Sequence, residues 1–243
     1  MHLLRVFIIV SWFHSAVVAW QPTTLSRRLQ HGTQIALAAK TATFGMGCFW
    51  KPSEELLKVP GVIDTVVGYT GVAEVKDLPS YDKVCFSRNW VEGVRVFYDD
   101  ETLSYEELLD SFFETQEPKF QSRQYASIIF PHDAEQEATA KEWLDRNSQK
   151  VRDDGVSTAW TQIESLKPFF KAEGYHQMYW QKTRPRIAIM IGLIAISSGI
   201  IDGILPTGTG ILSKVHTAAD ALVLAGLIGV LIERKIDNKT VQI

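Results

Sequence analysis

The stretch Thr41–Val59, TATFGMGCFWKPSEELLKV, joins a β-type segment to a helical one through GCFW at residues 47–50. Thr41–Gly45 predicts a strand, and Pro52–Val59 predicts a helix whose proline falls in the first turn, where its missing N–H is not needed. Cys48 is therefore predicted at a strand-to-helix junction. A thiol there faces backbone N–H groups and the positive end of the helix dipole, so we expect a lowered thiol pKa and a reactive cysteine.

The region from residue 41 to about 182 alternates short β-rich runs with helical periodicity, which predicts an α+β domain. Val91–Tyr98 predicts a strand in which a carboxylate, Glu92, begins an otherwise apolar face. Ser104 and Glu107 form a capping-box pattern at the start of a helix. Further predicted elements are strands at Val62–Tyr69 and Gln124–Phe130 and a helix at Asp133–Lys150.

The composition limits the function classes. The chain has 243 residues, of which 46% are hydrophobic and 22% charged, enough for one packed domain with appendages. Its net charge of -3 gives no basic footprint for nucleic acid. Two cysteines, Cys48 and Cys85, are too few for a disulfide framework, so each is either buried or used for thiol chemistry. No histidine falls at metal-ligand spacing with acidic or cysteine partners, so no metal site is predicted.

Residues 1–19 hold an early arginine, an apolar run and small residues up to Ala19, which predicts a signal peptide. Residues 20–40 contain basic and hydroxyl side chains but no Asp or Glu, which is the composition of a transit peptide. The junction Ala19-Trp20-Gln21-Pro22 resembles that of bipartite presequences for plastids bounded by extra membranes. We therefore expect a plastid membrane protein. The alternative is a secretory-pathway membrane, with residues 20–40 as a disordered linker.

Residues 183–243 predict a two-helix membrane hairpin. Apolar segments at 187–205 and 215–233 approach the ~20 residues that a bilayer core requires, and Pro206–Gly210 between them supplies turn chemistry. Basic residues precede the first segment and follow the second, so the positive-inside rule predicts both flanks on one side of the membrane. The central domain and the C-terminus are expected in the same compartment.

Six sequence blocks follow one another through the central region: GCFW (47–50), VGYTG (67–71), PSYDKVC (79–85), VEGVRVFYD (91–99), SRQYAS (122–127) and AEGYHQMYW (172–180). In this order they resemble the peptide methionine-S-sulfoxide reductase family, A type. The resemblance covers residues 41–182 and implies a two-layer α/β sandwich, a ferredoxin-like plait. It also implies an enzyme that reduces the S-epimer of methionine sulfoxide, in proteins and as the free amino acid.

The resemblance assigns the nucleophile and the substrate pocket. Cys48 would attack the sulfur of the sulfoxide and become a sulfenic acid. Phe49 and Trp50 would form the apolar wall that holds the S-methyl group, where contact between sulfur and an aromatic ring is favourable.

Charge develops on the sulfoxide oxygen as the new bond forms, so a neutral acid is needed nearby. The resemblance implies that this acid is Glu92, and its position on an apolar strand face predicts a pKa raised by desolvation. Tyr81 and Tyr125 match the two tyrosines that hydrogen-bond the oxygen, with a core position as the alternative for each. His176 is expected to make a structural hydrogen bond, with a place in the site wall as the alternative.

The chain departs from the family in the loop EPKFQSRQYAS (117–127). Many members have a longer segment there with a supporting aspartate, whereas Phe120 and Gln121 occupy the nearest positions here. Lys51 replaces the usual glycine after GCFW. It either stabilises a thiolate or points to solvent.

Recycling also departs from the family. Many members resolve the sulfenic acid with a cysteine near the C-terminus, but none follows Cys85. Cys85 is the internal candidate for this step, although we expect it to be structural. An external thiol from thioredoxin, glutaredoxin or glutathione is then the reductant, and no bound cofactor is expected. The alternative function is a catalytically weak, membrane-tethered module that binds oxidised methionine or a partner.

Overall fold

The computed structural model describes residues 39–200, 202 and 209–243. The predicted signal peptide (1–19) and nearly all of the predicted transit segment (20–40) lie outside the described residues. The strands of the described part are β1 (Lys40–Met46), β2 (Val62–Thr70), β3 (Val91–Tyr98), β4 (Ser127–Phe130), β5 (Gln162–Ile163), β6 (Phe170–Lys171) and β7 (Val241–Gln242). Its α-helices are α1 (Trp50–Leu56), α2 (Tyr81–Phe86), α3 (Tyr105–Thr115), α4 (Ala134–Arg146), α5 (Tyr179–Ser197) and α6 (Thr209–Ile236).

These strands form one mixed sheet in the order β5-β4-β1-β3-β2-β6-β7. Neighbouring strands are antiparallel except β4 and β5, which are parallel. Helices α1 and α3 pack on the sheet and bury Phe44, Val94 and Phe112 completely. Glu92 and Val94 are two residues apart on β3, so the carboxylate points to this helix-covered face. The prediction of a domain that mixes helices with a sheet is confirmed.

Some element boundaries follow local sequence signals, and others do not. The capping box at α3 is confirmed: the Ser104 hydroxyl accepts from the Glu107 N–H, and the Glu107 carboxylate accepts from the Ser104 N–H. β4 begins only at Ser127, later than predicted, because the residues before it form a turn in which the Ala126 N–H donates to the Arg123 carbonyl.

The two C-terminal helices pack antiparallel. Arg186 of α5 forms an ion pair of 2.5 Å with Glu233 of α6, and Met190 of α5 lies against Gly226 of α6. Within the described part of the chain, Ile211–Ile236 is the one helical segment that is long and apolar enough to cross a membrane. The first turns of α5 carry basic residues, which leaves only its second half apolar.

Helix α5 differs from the first predicted span, 187–205. It begins earlier, at Tyr179, because the Glu54 carboxylate of α1 accepts hydrogen bonds from the Trp180 and Gln181 N–H groups at 2.6 and 3.0 Å. It ends at Ser197, just before Gly199, whose φ of 73° is a left-handed conformation that ends helices. Residues 201 and 203–208, which hold the end of the predicted span and most of the predicted turn, lie outside the described residues.

The C-terminal strand β7 returns to the sheet and pairs with β6. Just before it, the Thr240 hydroxyl donates to the Pro79 carbonyl at 2.6 Å, and after it the Arg95 guanidinium donates to the Ile243 carbonyl at 2.8 Å. The polypeptide that leaves the domain through α5 therefore rejoins it after α6.

Candidate active site

The GCFW segment forms the predicted junction between β1 and α1. Gly47 has a φ of 82°, and a Cβ atom on it would collide with the Glu117 carbonyl. The Glu117 N–H in turn donates to the Met46 carbonyl at 2.8 Å. Glycine is therefore required at this position, because only glycine turns the chain here without strain or collision. Cys48 follows directly, and α1 begins at Trp50.

The predicted lowering of the Cys48 pKa is wrong for this structure. Burial raises the pKa of the thiol, and the carboxylates of Glu92 and Glu117 raise it further. The Trp50 backbone N–H and the Lys119 ammonium act in the opposite direction but do not compensate. The helix is short and the thiol is largely enclosed, so desolvation outweighs the hydrogen bond at the helix start. Cys48 is a neutral thiol at neutral pH.

Glu92 is a buried carboxyl group, with 2% of its surface exposed. Burial raises its pKa to about 7, against the effect of two hydrogen bonds that favour the anion. The Gln124 side-chain amide donates to Oε1 at 2.7 Å, and the Phe49 N–H donates to Oε2 at 3.3 Å. Glu92 is thus bonded to the residue beside Cys48 and is close to half protonated near pH 7, as the apolar strand face predicts.

Both candidate tyrosines are half-buried phenols that remain protonated. Tyr81 begins α2, its N–H donates to Glu173 Oε1 at 2.8 Å, and burial together with Cys85 raises the pKa of its phenol. Burial raises the pKa of Tyr125 to about 12, and the neighbouring Glu92, Cys48 and Cys85 act in the same direction. Because these groups all act on one phenol, the structure brings the predicted acid, the nucleophile and Tyr125 into one neighbourhood.

Phe49 and Trp50 form an aromatic cluster with the residues of the last sequence block. The buried Phe49 ring lies 5.3 Å from the His176 ring, centroid to centroid. The Trp50 indole N–H donates to His176 Nδ1 at 2.9 Å, and its ring stacks on Tyr179 at 3.8 Å and 6°. Tyr81 is also beside His176, at 4.9 Å between centroids.

His176 makes the structural hydrogen bond that we expected. Burial lowers its pKa to about 3, so the ring is neutral, and because Nδ1 accepts the Trp50 proton, Nε2 carries the imidazole proton. Nε2 is 3.8 Å from Glu173 Oε2 and has no hydrogen-bond partner within the described residues. The ring fixes Trp50 and contacts Phe49, so it also belongs to the site wall.

Two hydrogen-bonding partners of the site residues, the buried Glu173 and the half-buried Gln124, escaped the sequence analysis. Glu173 is 2% exposed and accepts hydrogen bonds from the Tyr69 hydroxyl and the Tyr81 N–H, both at 2.8 Å, which fixes the start of α2. Gln124 holds Glu92. Both lie inside the quoted blocks, but nothing local in the sequence indicates which polar side chains bind each other in the folded domain.

Cys85, which we expected to be structural, is an exposed free cysteine. Its Sγ is 3.7 Å from the Gln124 side-chain nitrogen, the same nitrogen that donates to Glu92. Its proximity also raises the pKa of both site tyrosines. The second thiol therefore lies at the rim of the candidate site.

Two lysines lie at the short loop 117–127: Lys51 of α1, which contacts it, and Lys119 within it. Lys51 forms an ion pair with Glu117, one of the carboxylates that raise the Cys48 pKa, so it neither binds the thiolate directly nor simply points to solvent. Lys119 lies over the Tyr125 ring at 4.6 Å. Phe120 is 66% exposed.

The convergence of a thiol, a protonatable carboxyl group and two phenols beside an aromatic pocket defines a thiol oxidoreductase site. Residues 40–194 match the family model "Peptide methionine sulfoxide reductase", which covers more than half of the chain. The chain therefore belongs to the A-type peptide methionine sulfoxide reductases, thiol-dependent oxidoreductases that act on methionine sulfoxide. The match ends within α5, so α6 lies beyond it.

Individual relatives agree with this family. The chain is 43% identical over 152 residues to the peptide methionine sulfoxide reductase MsrA of Methanoculleus marisnigri, covering 58% of this chain and 88% of the relative. It is 37% identical over 170 residues to that of Salinispora tropica, covering 67% and 74%. Methionine sulfoxide reductase A of Corynebacterium diphtheriae is a structural neighbour with a TM-score of 0.52 and 27% identity, covering 60% of this chain and 75% of that chain.

Proposed function

We propose that this chain reduces the S-epimer of methionine sulfoxide, in proteins and as the free amino acid, with Cys48 as nucleophile and Glu92 as acid. The observation that carries the proposal is the buried Glu92 carboxyl group, with a pKa of about 7 and a hydrogen bond to the residue beside Cys48. An acid that is protonated near neutral pH suits a reaction in which an oxygen must gain a proton.

The proposed reaction balances without a cofactor. Cys48 sulfur attacks the sulfoxide sulfur while Glu92 protonates the oxygen, with Tyr81 and Tyr125 donating hydrogen bonds to it. This attack forms a sulfur–sulfur bond, and the sulfur–oxygen bond breaks as the protonated oxygen leaves as water. A water then adds to the Cys48 sulfur and loses a proton while the sulfur–sulfur bond breaks, which releases methionine and leaves Cys48 as a sulfenic acid, oxidised by the two electrons that the sulfoxide sulfur gains. Phe49 and Trp50 hold the S-methyl group against the attacked sulfur.

The two pKa shifts determine the pH range in which Cys48 and Glu92 can reach the reactive protonation state. The reactive state needs a thiolate and a protonated Glu92, which together hold one proton. The pKa of the Cys48 thiol is raised and that of Glu92 is about 7, so the pair holds one proton only above about pH 7 and below the thiol pKa. When that proton is on Glu92, the carboxyl group is neutral and no longer repels a Cys48 thiolate. The thiolate in turn favours the protonated form of Glu92.

Recycling of Cys48 is proposed to use thioredoxin, glutaredoxin or glutathione. One thiol condenses with the sulfenic acid to release water and form a disulfide with Cys48, and a second thiol reduces that disulfide. The exposure of Cys85 at the rim supports an internal route as the competing proposal. Turnover of the Cys85→Ser variant with each reductant decides between them, because the internal route requires this sulfur.

A membrane anchor is proposed for the two C-terminal helices. Support comes from the apolar segment Ile211–Ile236, from its antiparallel packing on α5, and from the return of β7 to the sheet, which suits a domain and a C-terminus on one side. Polar side chains in this helical region form hydrogen bonds with each other: His216 Nε2 is 2.9 Å from Asp202, and the Ser197 hydroxyl donates to the Asp220 carboxylate. Carbonate extraction of membranes tests the anchor, since a peripheral protein would be released.

The plastid address remains our proposal for residues 1–40. A fluorescent fusion of these residues tests it, and a signal confined to the endoplasmic reticulum would favour the secretory alternative.

We also propose the ferredoxin-like plait as our interpretation of the four central strands, which lie in the order β4-β1-β3-β2.

A second candidate function is a membrane-tethered module that binds oxidised methionine with little catalysis. The short loop at 117–127 favours it, because the exposed Phe120 offers no carboxylate to support the site. Release of methionine from the S-epimer by the wild type, and none by Cys48→Ser, supports the enzyme. Binding without release in both proteins supports the module.

A further inference from the structure

A cavity of about 840 Å³ lies between the aromatic cluster and the C-terminal helices. Trp50, Tyr175 and Tyr179 line one end of it, and apolar side chains of α5 and α6 line the rest. Its volume is in the range of small-molecule binding pockets. We call this cavity the interhelical groove.

The interhelical groove is amphipathic along its length. Near the aromatic end its lining includes Lys182, Arg186 and Arg234 against a single carboxylate, Glu233, within the described residues. Arg186 and Lys182 both face Glu233, at 2.5 and 3.9 Å. The Arg234 guanidinium is 5.7 Å from the Tyr175 ring centroid. This end therefore has a net positive charge.

Glycines of α6 open the other end of the groove. A Cβ atom on Gly226 would lie 3.1 Å from Met190 Sδ, and one on Gly229 would meet no atom within 4 Å in the part of the chain that the structure describes. Leu222 and Leu227 flank these glycines and are more than half exposed. The apolar end is a shallow channel that larger side chains at the glycines would fill.

We propose that the interhelical groove binds an anionic glycerophospholipid, with the phosphate on the cationic end and one acyl chain along the glycine channel. A net positive mouth attached to an apolar channel matches a ligand that carries charge at one end and a long hydrocarbon chain at the other. An acidic peptide would satisfy the cations but would leave the apolar channel empty. The proposal rests on the membrane anchor proposed above and is independent of the reductase reaction.

The binding test uses the full chain in a neutral detergent, with retained lipid measured by native mass spectrometry. We expect phosphatidylglycerol to be retained in preference to phosphatidylcholine. Gly229→Leu fills the channel and should abolish this retention. The matched control is Gly192→Leu, because Gly192 lies on α5 outside the groove lining and also has open space around it. Leucine has a higher helix propensity than glycine, so neither change should disrupt its helix.

The cationic end is tested with Arg234→Gln, which should weaken phosphatidylglycerol binding about fivefold, as expected for one cation near a lipid phosphate. Equal retention of the two lipids, or unchanged retention in Gly229→Leu, would overturn the proposal. So would glycerol phosphate competing as well as the intact lipid, because that reveals an anion patch alone. Methionine release by each variant is measured separately, so failed lipid binding and failed sulfoxide reduction are distinguishable.

Discussion

Cys48 and Cys85 are the two cysteines of the chain, and the structure gives them opposite settings. Cys48 is half-buried next to a carboxyl group and an aromatic wall, and its enclosure raises the thiol pKa. Cys85 is exposed at the end of α2 and contacts the outer side of the same network, where its sulfur lies near the Gln124 side chain. An acid beside a thiol, rather than a low thiol pKa, is what distinguishes the proposed nucleophile. The predictions below test that distinction.

The largest expected effect is that of Cys48→Ser. Loss of the Cys48 sulfur should abolish methionine release from the S-epimer, because a serine hydroxyl cannot form a sulfenic acid. Single-turnover assays without reductant measure this directly. Residual release that depends on Cys85 would reverse the assignment of the two thiols.

Glu92→Gln should lower kcat/KM by about 10²- to 10⁴-fold, the usual contribution of a general acid. For the wild type, kcat/KM should rise as pH passes about 7, because at lower pH both Glu92 and the Cys48 thiol are protonated. The amide cannot titrate, so this inflection should be absent from the variant. If the inflection persists in Glu92→Gln, another group supplies the proton.

Glu92 should also make folding stability depend on pH. Its pKa is raised from 4.5 to about 7 in the folded state, so its protonation stabilises the fold at low pH and this stability is lost as pH rises through 7. Relative to the wild type, Glu92→Gln should gain roughly 3 kcal/mol between pH 4 and pH 8. Denaturant unfolding at both values measures the difference, and equal pH dependence in the two proteins would contradict the raised pKa.

The smallest expected effect is that of Cys85→Ser. With an external thiol as reductant, the rate should change by less than about twofold, as for most exposed substitutions. Steady-state turnover with glutathione and with thioredoxin measures it. A large loss confined to turnover, with single-turnover methionine release intact, would make Cys85 the resolving cysteine.

Local patterns in the sequence were sufficient for much of the fold. The strand–GCFW–helix junction, β3 and the capping box at Ser104 depend on neighbouring residues, and the structure has them at or near the predicted positions. The start of α5 was missed because it depends on Glu54 and on Trp50 stacking with Tyr179, partners that are far away in the chain. Tertiary contacts of this kind leave no periodic signal.

The site was predictable in its residue types but not in its electrostatics. Burial of Glu92 followed from strand alternation, whereas the raised pKa of Cys48 did not follow from its place before a helix. Desolvation depends on how completely the rest of the chain encloses the thiol, which a local pattern does not report. Glu173 and Gln124 were missed for the same reason.

The return of β7 to the sheet changes how the catalytic domain can move. A domain on one flexible tether swivels freely and can present its active site in any direction. Here one attachment lies where Glu54 holds the first turn of α5, and another lies where Thr240 and β7 bind the domain after α6. Two anchorage points restrict the rotation of the domain, so the directions in which the Cys48 thiol can face are limited relative to the helical pair.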